Sequence, residues 1–254
     1  MPLYKTKGFI LKKSNFEDHH KIVTIFTQTH GKVKGISKGV RKIKSKLAPH
    51  LEIGMMSEFM LSESKSLQTI TSAKSIKTYK NLRSDLHKAT HLYCMCELLD
   101  KLVTDSFSDS SLFFLFDESL SSIDREQDQG RHELITIRFM LKALHTLGYL
   151  PELFNCTKCG SVLKEEVNYF SHSHGGMVCA SCKENSCIAL TGDELKVLRF
   201  LVRASFSDVE RMQVQKKLSD TLNTLLFTYT QYLLSKKINS TYMVERTDAM
   251  QVYR

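Results

Sequence analysis

The sequence predicts an α+β protein, with an N-terminal OB-fold β-barrel followed by a helical domain that carries a zinc-ribbon-like module. Three features carry that prediction. Short alternating apolar runs are confined to residues 1–79, helical periodicity covers much of 80–254, and two Cys-x-x-Cys pairs stand in a stretch at 154–188 that lacks it. A chain of 254 residues with 42% hydrophobic content can bury a core as one large domain or two small ones.

The predicted strands are residues 8–11, 22–27, 32–37, 55–61 and 67–76. Turn-forming residues separate them at 14–20, at 28–31, across the lysine-rich segment up to Pro49, and at 62–66. A small antiparallel barrel closes such a sheet and removes its edges, and five strands is the OB-fold number, although an SH3-like barrel fits the same pattern.

After Tyr79 the period lengthens. Leu82, Leu86, Ala89, Tyr93, Cys96, Leu99 and Val103 recur at three- and four-residue steps, predicting one amphipathic helix. A shorter helix is predicted over 112–123 and another over 134–147, the latter stopped by Gly148 with Pro151 beyond it. Thr191 and Glu194 have capping-box spacing ahead of Leu195, Leu198, Leu201 and Val202. A last helix carries Val214, Leu218, Leu222, Leu225, Tyr229 and Leu233, and the polar tail from Asn239 is expected to be mobile.

The net charge of +9 is informative once it is divided. Residues 1–80 hold 16 Lys+Arg against 5 Asp+Glu, or +11, leaving 20 against 22, or −2, for the rest. One basic domain beside a near-neutral body points to a polyanion bound at one face, and nucleic acid is the first candidate. The charge is densest from Lys32 to Lys46, where Lys32, Lys34, Lys38, Arg41, Lys42, Lys44 and Lys46 stand without an acidic residue. Lys32 and Lys34 lie two apart on a strand and share a face, and Lys38 to Lys46 continue the strip as a loop or short helix able to follow a phosphate backbone. Tyr4, Phe9, Phe16, Phe26, His30, Phe59 and Tyr79 are available for base stacking, but the phenylalanines are expected in the core.

Seven cysteines in a long chain are better read as metal ligands than as a disulfide scaffold. Cys156 and Cys159 precede Cys179 and Cys182 by a gap of nineteen residues, a spacing that lets two tight turns offer four thiolates to one tetrahedral Zn2+. Gly160, Gly175 and Gly176 supply the backbone freedom such turns need. The plain alternative is a set of reduced, partly buried thiols in a chain that has lost its metal, and a further one puts Cys187, His172 or His174 in place of one of the four ligands. Four thiolates close the coordination sphere, so the site is expected to be structural and not catalytic. Cys94 and Cys96, two apart on a predicted helix, read as core filling.

Lys5, Lys7, Lys12 and Lys13 break up the first apolar residues, and no later stretch reads as a membrane span, so a cytoplasmic protein is expected. Enzyme signatures are missing from the sequence. It contains no P-loop, dinucleotide fingerprint or nucleophile elbow, His132-Glu133 lacks the second histidine of a helical zinc protease, and no H-x-E precedes the first cysteine pair as a deaminase requires.

Three blocks resemble the RecO family of DNA repair proteins. Glu17-Asp18, Lys21 to Thr27 and Gly31-Lys32 are similar to the family's E-x-D-x-I-V-T-L-F-T-x-x-x-G-K core, with the acidic pair shifted by one residue. Lys38 to Ser45 is similar to its A-K-G-A-R-R-x-K-S, with Ser37 in place of the usual alanine, and the four-cysteine module follows between helices. The resemblance implies a non-enzymatic, nucleoid-associated mediator that binds single- and double-stranded DNA, anneals strands, and works with RecR and single-stranded-DNA-binding protein (SSB) without a small-molecule substrate. A second reading is a zinc-containing interaction scaffold whose basic strip binds an acidic protein tail. A metal-dependent nuclease or deaminase ranks last, because the thiolates close the metal site.

Overall fold

The computed structural model describes residues 2–64, 67–105, 107–236 and 238, and the chain forms two compact units that meet in sequence between Arg125 and Glu126, with Ile238 belonging to the first. The tail from Asn239, expected to be mobile, lies outside the described residues.

The first unit opens with strands β1 (Leu3–Phe16), β2 (His20–Thr27), β3 (Lys32–Ser37), β4 (Met56–Ser62) and β5 (Gln68–Lys77), closed into a barrel in the order β1-β2-β3-β5-β4. This is an OB-like barrel. The expected antiparallel sheet needs one correction, because β3 and β5 run parallel where Gly35 pairs with Gln68 and Ile36 with Thr69. After β3 the chain first lays down β4 beside β1, so β5 returns to β3 in the same direction. β1 outruns its apolar stretch because a register shift between Ile10 and Lys12 lets its first half pair with β4 and its second with β2.

Ile10, Val23, Ile25, Val33, Phe59, Leu61 and Ile70 fill the barrel, joined by Val40, Leu51 and Met55 from the β3–β4 connection. Helices α1 (Lys80–Ser84), α2 (Leu86–Leu102) and α3 (Ser110–Arg125) belong to the same unit. Phe9 and Phe26 pack against α3, the Phe9 ring lying 4.9 Å from both Phe113 and Phe116. The single helix predicted over 82–103 is two helices. Asp85 takes an extended conformation and its carboxylate accepts the Lys88 N–H at 2.9 Å, so a new helix starts at Leu86.

The second unit contains α4 (Gln129–Thr146), a small sheet of β6 (Asn168–Ser171), β7 (Gly176–Val178) and β8 (Ile188–Leu190) in the order β7-β6-β8, then α5 (Gly192–Arg203), α6 (Phe206–Arg211) and α7 (Lys216–Leu234). α4 packs against the last three helices. The Thr191–Glu194 capping box forms as predicted, whereas α6, six residues started by a second box at Ser205 and Asp208, is too short to show periodicity. Buried Arg138 of α4 donates to the Ala204 carbonyl at 2.8 Å and lies 3.7 Å over the Phe206 ring, fixing that short helix. Among the described residues, no helix is long and apolar enough to cross a membrane.

Candidate nucleic-acid interface and metal centre

The cationic strip follows β3 into the loop beyond it. Alternation puts Val33 and Gly35 inside the barrel and leaves Lys34 outside and exposed. Lys38, Arg41, Lys42, Lys44 and Lys46 are exposed as well. Lys32 is placed differently. Its ammonium donates to the Asp100 carbonyl at 2.5 Å, with the carboxylates of Asp100 and Asp105 at 3.7 and 3.9 Å, and its side chain is only 10% exposed. Lys32 therefore fastens β3 to the end of α2, and the other six cations form the exposed strip.

The loop is a built structure. Val40 and, less deeply, Leu47 pack on the barrel core at its two ends. The Gly39 N–H donates to His20 Nδ1 at 2.8 Å, the Arg41 N–H to the His19 carbonyl at 3.2 Å, and the Arg41 guanidinium reaches the Glu17 carbonyl at 3.5 Å. His20 also sits 3.5 Å from the Glu17 carboxylate. The β1–β2 hairpin and the cationic loop, far apart in sequence, thus brace one another. Sequence reasoning missed His19 and His20 as supports, since a contact between two hairpin ends leaves no periodic signal.

Of the candidate stacking residues, Phe9, Phe26, Phe59 and Tyr79 are buried, Tyr4 and His30 lie ring to ring at 4.3 Å, and Phe16 is half-buried. The strip is accordingly cationic and poor in free aromatic faces.

In the second unit the sulfurs of Cys156, Cys159, Cys179 and Cys182 all lie within 4.8 Å of one another, Cys159 and Cys179 at 3.8 Å. A tetrahedral ion with metal–sulfur bonds of about 2.3 Å spaces its sulfurs about 3.8 Å apart, so the four fit one ion. Each pair rides on a tight turn, closed by the Gly160 N–H to the Cys156 carbonyl at 2.8 Å and by the Cys182 N–H to the Cys179 carbonyl at 3.0 Å. Gly160 has φ +75°, which favours glycine.

Burial opposes ionisation of Cys156, yet the backbone N–H groups of Cys179, Cys159 and Lys158 together outweigh it and bring the thiol down to about 6. The Ser161 hydroxyl, then its N–H, lowers Cys159. Cys182, hydrogen-bonded first to Cys179 and then to Cys159, is pushed up to about 12. Four thiolates cannot share this space without a cation, and a divalent ion at their centre removes the conflict.

The alternative ligands are occupied elsewhere. Cys187 accepts the Glu184 N–H at 3.3 Å, His172 bonds the Thr228 hydroxyl at 3.1 Å, and His174 bonds Ser171 at 3.0 Å. The module is locked to its unit by Arg199, which donates to the carbonyls of Leu153 at 2.9 Å and Leu163 at 3.3 Å, and by Phe170 edge-on to Tyr229 at 5.3 Å.

Two family models match the chain, the recombination protein O N-terminal domain over residues 1–79 and its C-terminal domain over residues 83–241. A DNA repair protein RecO of Dehalococcoides mccartyi strain CBDB1 is 29% identical over 235 residues, covering 92% of each chain. Another, of Acetivibrio thermocellus, is 28% identical over 99% of this chain and 100% of its own length. A third, of Desulforamulus reducens, is 28% identical over 97% and 95%.

Proposed function

The chain belongs to the RecO family of DNA repair proteins, and on that premise we propose that it is a recombination mediator that binds single- and double-stranded DNA along the β3–loop strip and anneals complementary strands. One observation carries the reading. Lys34, Lys38, Arg41, Lys42, Lys44 and Lys46 stand exposed on one braced stretch of the barrel with no acidic residue among them. Phosphates bound there release counterions, and two strands held with their repulsion screened pair faster. With few free aromatic faces beside it, the strip grips backbone and reads little sequence.

The family assignment also supports work with RecR and SSB, helping recombinase onto SSB-coated strands, at the nucleoid in the cytoplasm. No covalent step is needed. The four cysteines hold Zn2+, whose coordination they complete, so the ion organises the module and leaves no position for a reacting water.

Anisotropy of labelled single-stranded DNA across a salt series, followed by annealing in the same buffer, tests the reading. Affinity that falls steeply with salt, together with faster annealing, is expected. Absence of binding at low salt, with the strip instead holding an acidic peptide, would replace the mediator with the interaction scaffold.

A further inference from the structure

The cationic loop carries one apolar residue at its tip. Ile43 lies between Lys42 and Lys44 with its accessible surface at 105% of the reference value, more exposed than any other large apolar residue described, the next being Val162 at 78%. Single exposed apolar residues are ordinary on protein surfaces. The position of this one is not.

The Ser45 N–H donates to the Lys42 carbonyl at 2.9 Å and the Lys42 N–H to the Gly39 carbonyl at 3.1 Å, so residues 42–45 form a closed turn with Ile43 and Lys44 at its centre. That turn is held at both ends by Val40 and Leu47 on the barrel core. A β-branched side chain with a stiff χ1 is thus presented to solvent from a fixed turn, with exposed Arg41, Lys42, Lys44 and Lys46 around it. The fold gains nothing from it there. Its neighbours draw in phosphates, and once a strand lies across the turn, the nearby apolar surface of that strand is the faces of its bases.

We propose that Ile43 is a wedge for base steps: with the flanking cations on the phosphates, its side chain inserts between adjacent bases and unstacks them. The inference rests on the reading of the strip as a DNA site and extends it. In duplex DNA, aliphatic wedges that proteins insert between base steps unstack them and kink the helix.

The chain contains no tryptophan, so Ile43→Trp places a single indole reporter at the tip. On saturation with an oligothymidylate, followed by anisotropy, its emission should be quenched about twofold or more as the indole stacks on bases. Unchanged emission while the strand is bound overturns the wedge. In the second arm, wild-type protein raises the fluorescence of 2-aminopurine within a bound strand. Ile43→Lys, which adds a cation and touches nothing in the fold, is compared with wild type at protein concentrations that keep the strand fully bound, and should lose most of that rise. A full rise with Ile43→Lys also overturns the wedge and leaves the strip standing. A Lys42→Glu/Lys44→Glu protein that binds as tightly as wild type at moderate salt would instead remove the strip, and the wedge with it.

Discussion

His20 Nδ1 accepts the Gly39 backbone N–H at 2.8 Å, tying the tip of the β1–β2 hairpin to the root of the cationic loop. Gly39 has φ +66°, so the bond helps hold the chain in a conformation few residues adopt. His20→Ala removes the acceptor and leaves every cation of the strip in place. Affinity for single-stranded DNA should fall about three- to tenfold through loss of preorganisation, with the salt dependence nearly unchanged. A slope reduced as far as in the charge reversals below would mean that His20 itself contacts phosphate.

Lys32 and the cations beyond it should separate cleanly in experiment. Lys32 is held by Asp100, so Lys32→Gln should lower stability by about 1–2 kcal/mol and leave the salt slope of DNA binding alone. Reversing Lys38, Lys42 and Lys44 to glutamate should do the opposite. The melting temperature should hold, and the log–log salt slope should flatten by about two, at roughly 0.7 per lost single-strand phosphate contact. Equal slopes for the two variants would refute the division of roles.

Gly176 approaches the backbone of Glu152 so closely that an added Cβ would lie 2.5 Å from its carbonyl oxygen and 2.6 Å from its nitrogen. The same place carries hydrogen bonds from the Glu152 N–H to the Gly175 carbonyl at 3.1 Å and from the Met177 N–H to the Glu152 carbonyl at 2.8 Å. Gly176→Ala must therefore displace backbone, at a cost of about 2 kcal/mol or more. The expected result is a second unit that unfolds earlier in denaturant, with DNA affinity at the barrel unchanged. A wild-type transition would show that the approach can relax freely.

Local chemistry was the part of the molecule most legible in the sequence. The four cysteines announce themselves because each Cys-x-x-Cys turn is built from neighbouring residues, and the Thr191–Glu194 box and the strand at Lys32–Ser37 are local in the same way. What stayed hidden depends on distant partners. Lys32 looked like one more cation of the strip until Asp100, 68 residues on, claimed it. The break at Asp85 was masked by an apolar stripe that runs through it, and the supports at His19 and His20 come from a hairpin end with no pattern of its own. His132 and Glu133, a pair that lacks the second histidine of a helical zinc protease, are buried inside α4.

The split among the cysteines makes metal binding a proton-releasing event with a calculable sign. Without an ion, Cys182 ionises only near 12 and is protonated at pH 7, while Cys156, at about 6, is mostly thiolate there. Binding Zn2+ at pH 7 must therefore expel at least the Cys182 proton. As the pH falls through 6, Cys156 becomes protonated in the metal-free protein, so its proton must be expelled as well. The proton count rises and the apparent affinity falls as the solution is acidified. Zinc calorimetry on the chelator-stripped full chain, in buffers of different ionisation enthalpy, reads that count directly. At least one proton at pH 7 and a larger number at pH 5.5 are expected for binding at about one ion per chain. A count of zero at pH 7 would mean that the ion does not take all four sulfurs, and the closed structural site would have to be abandoned.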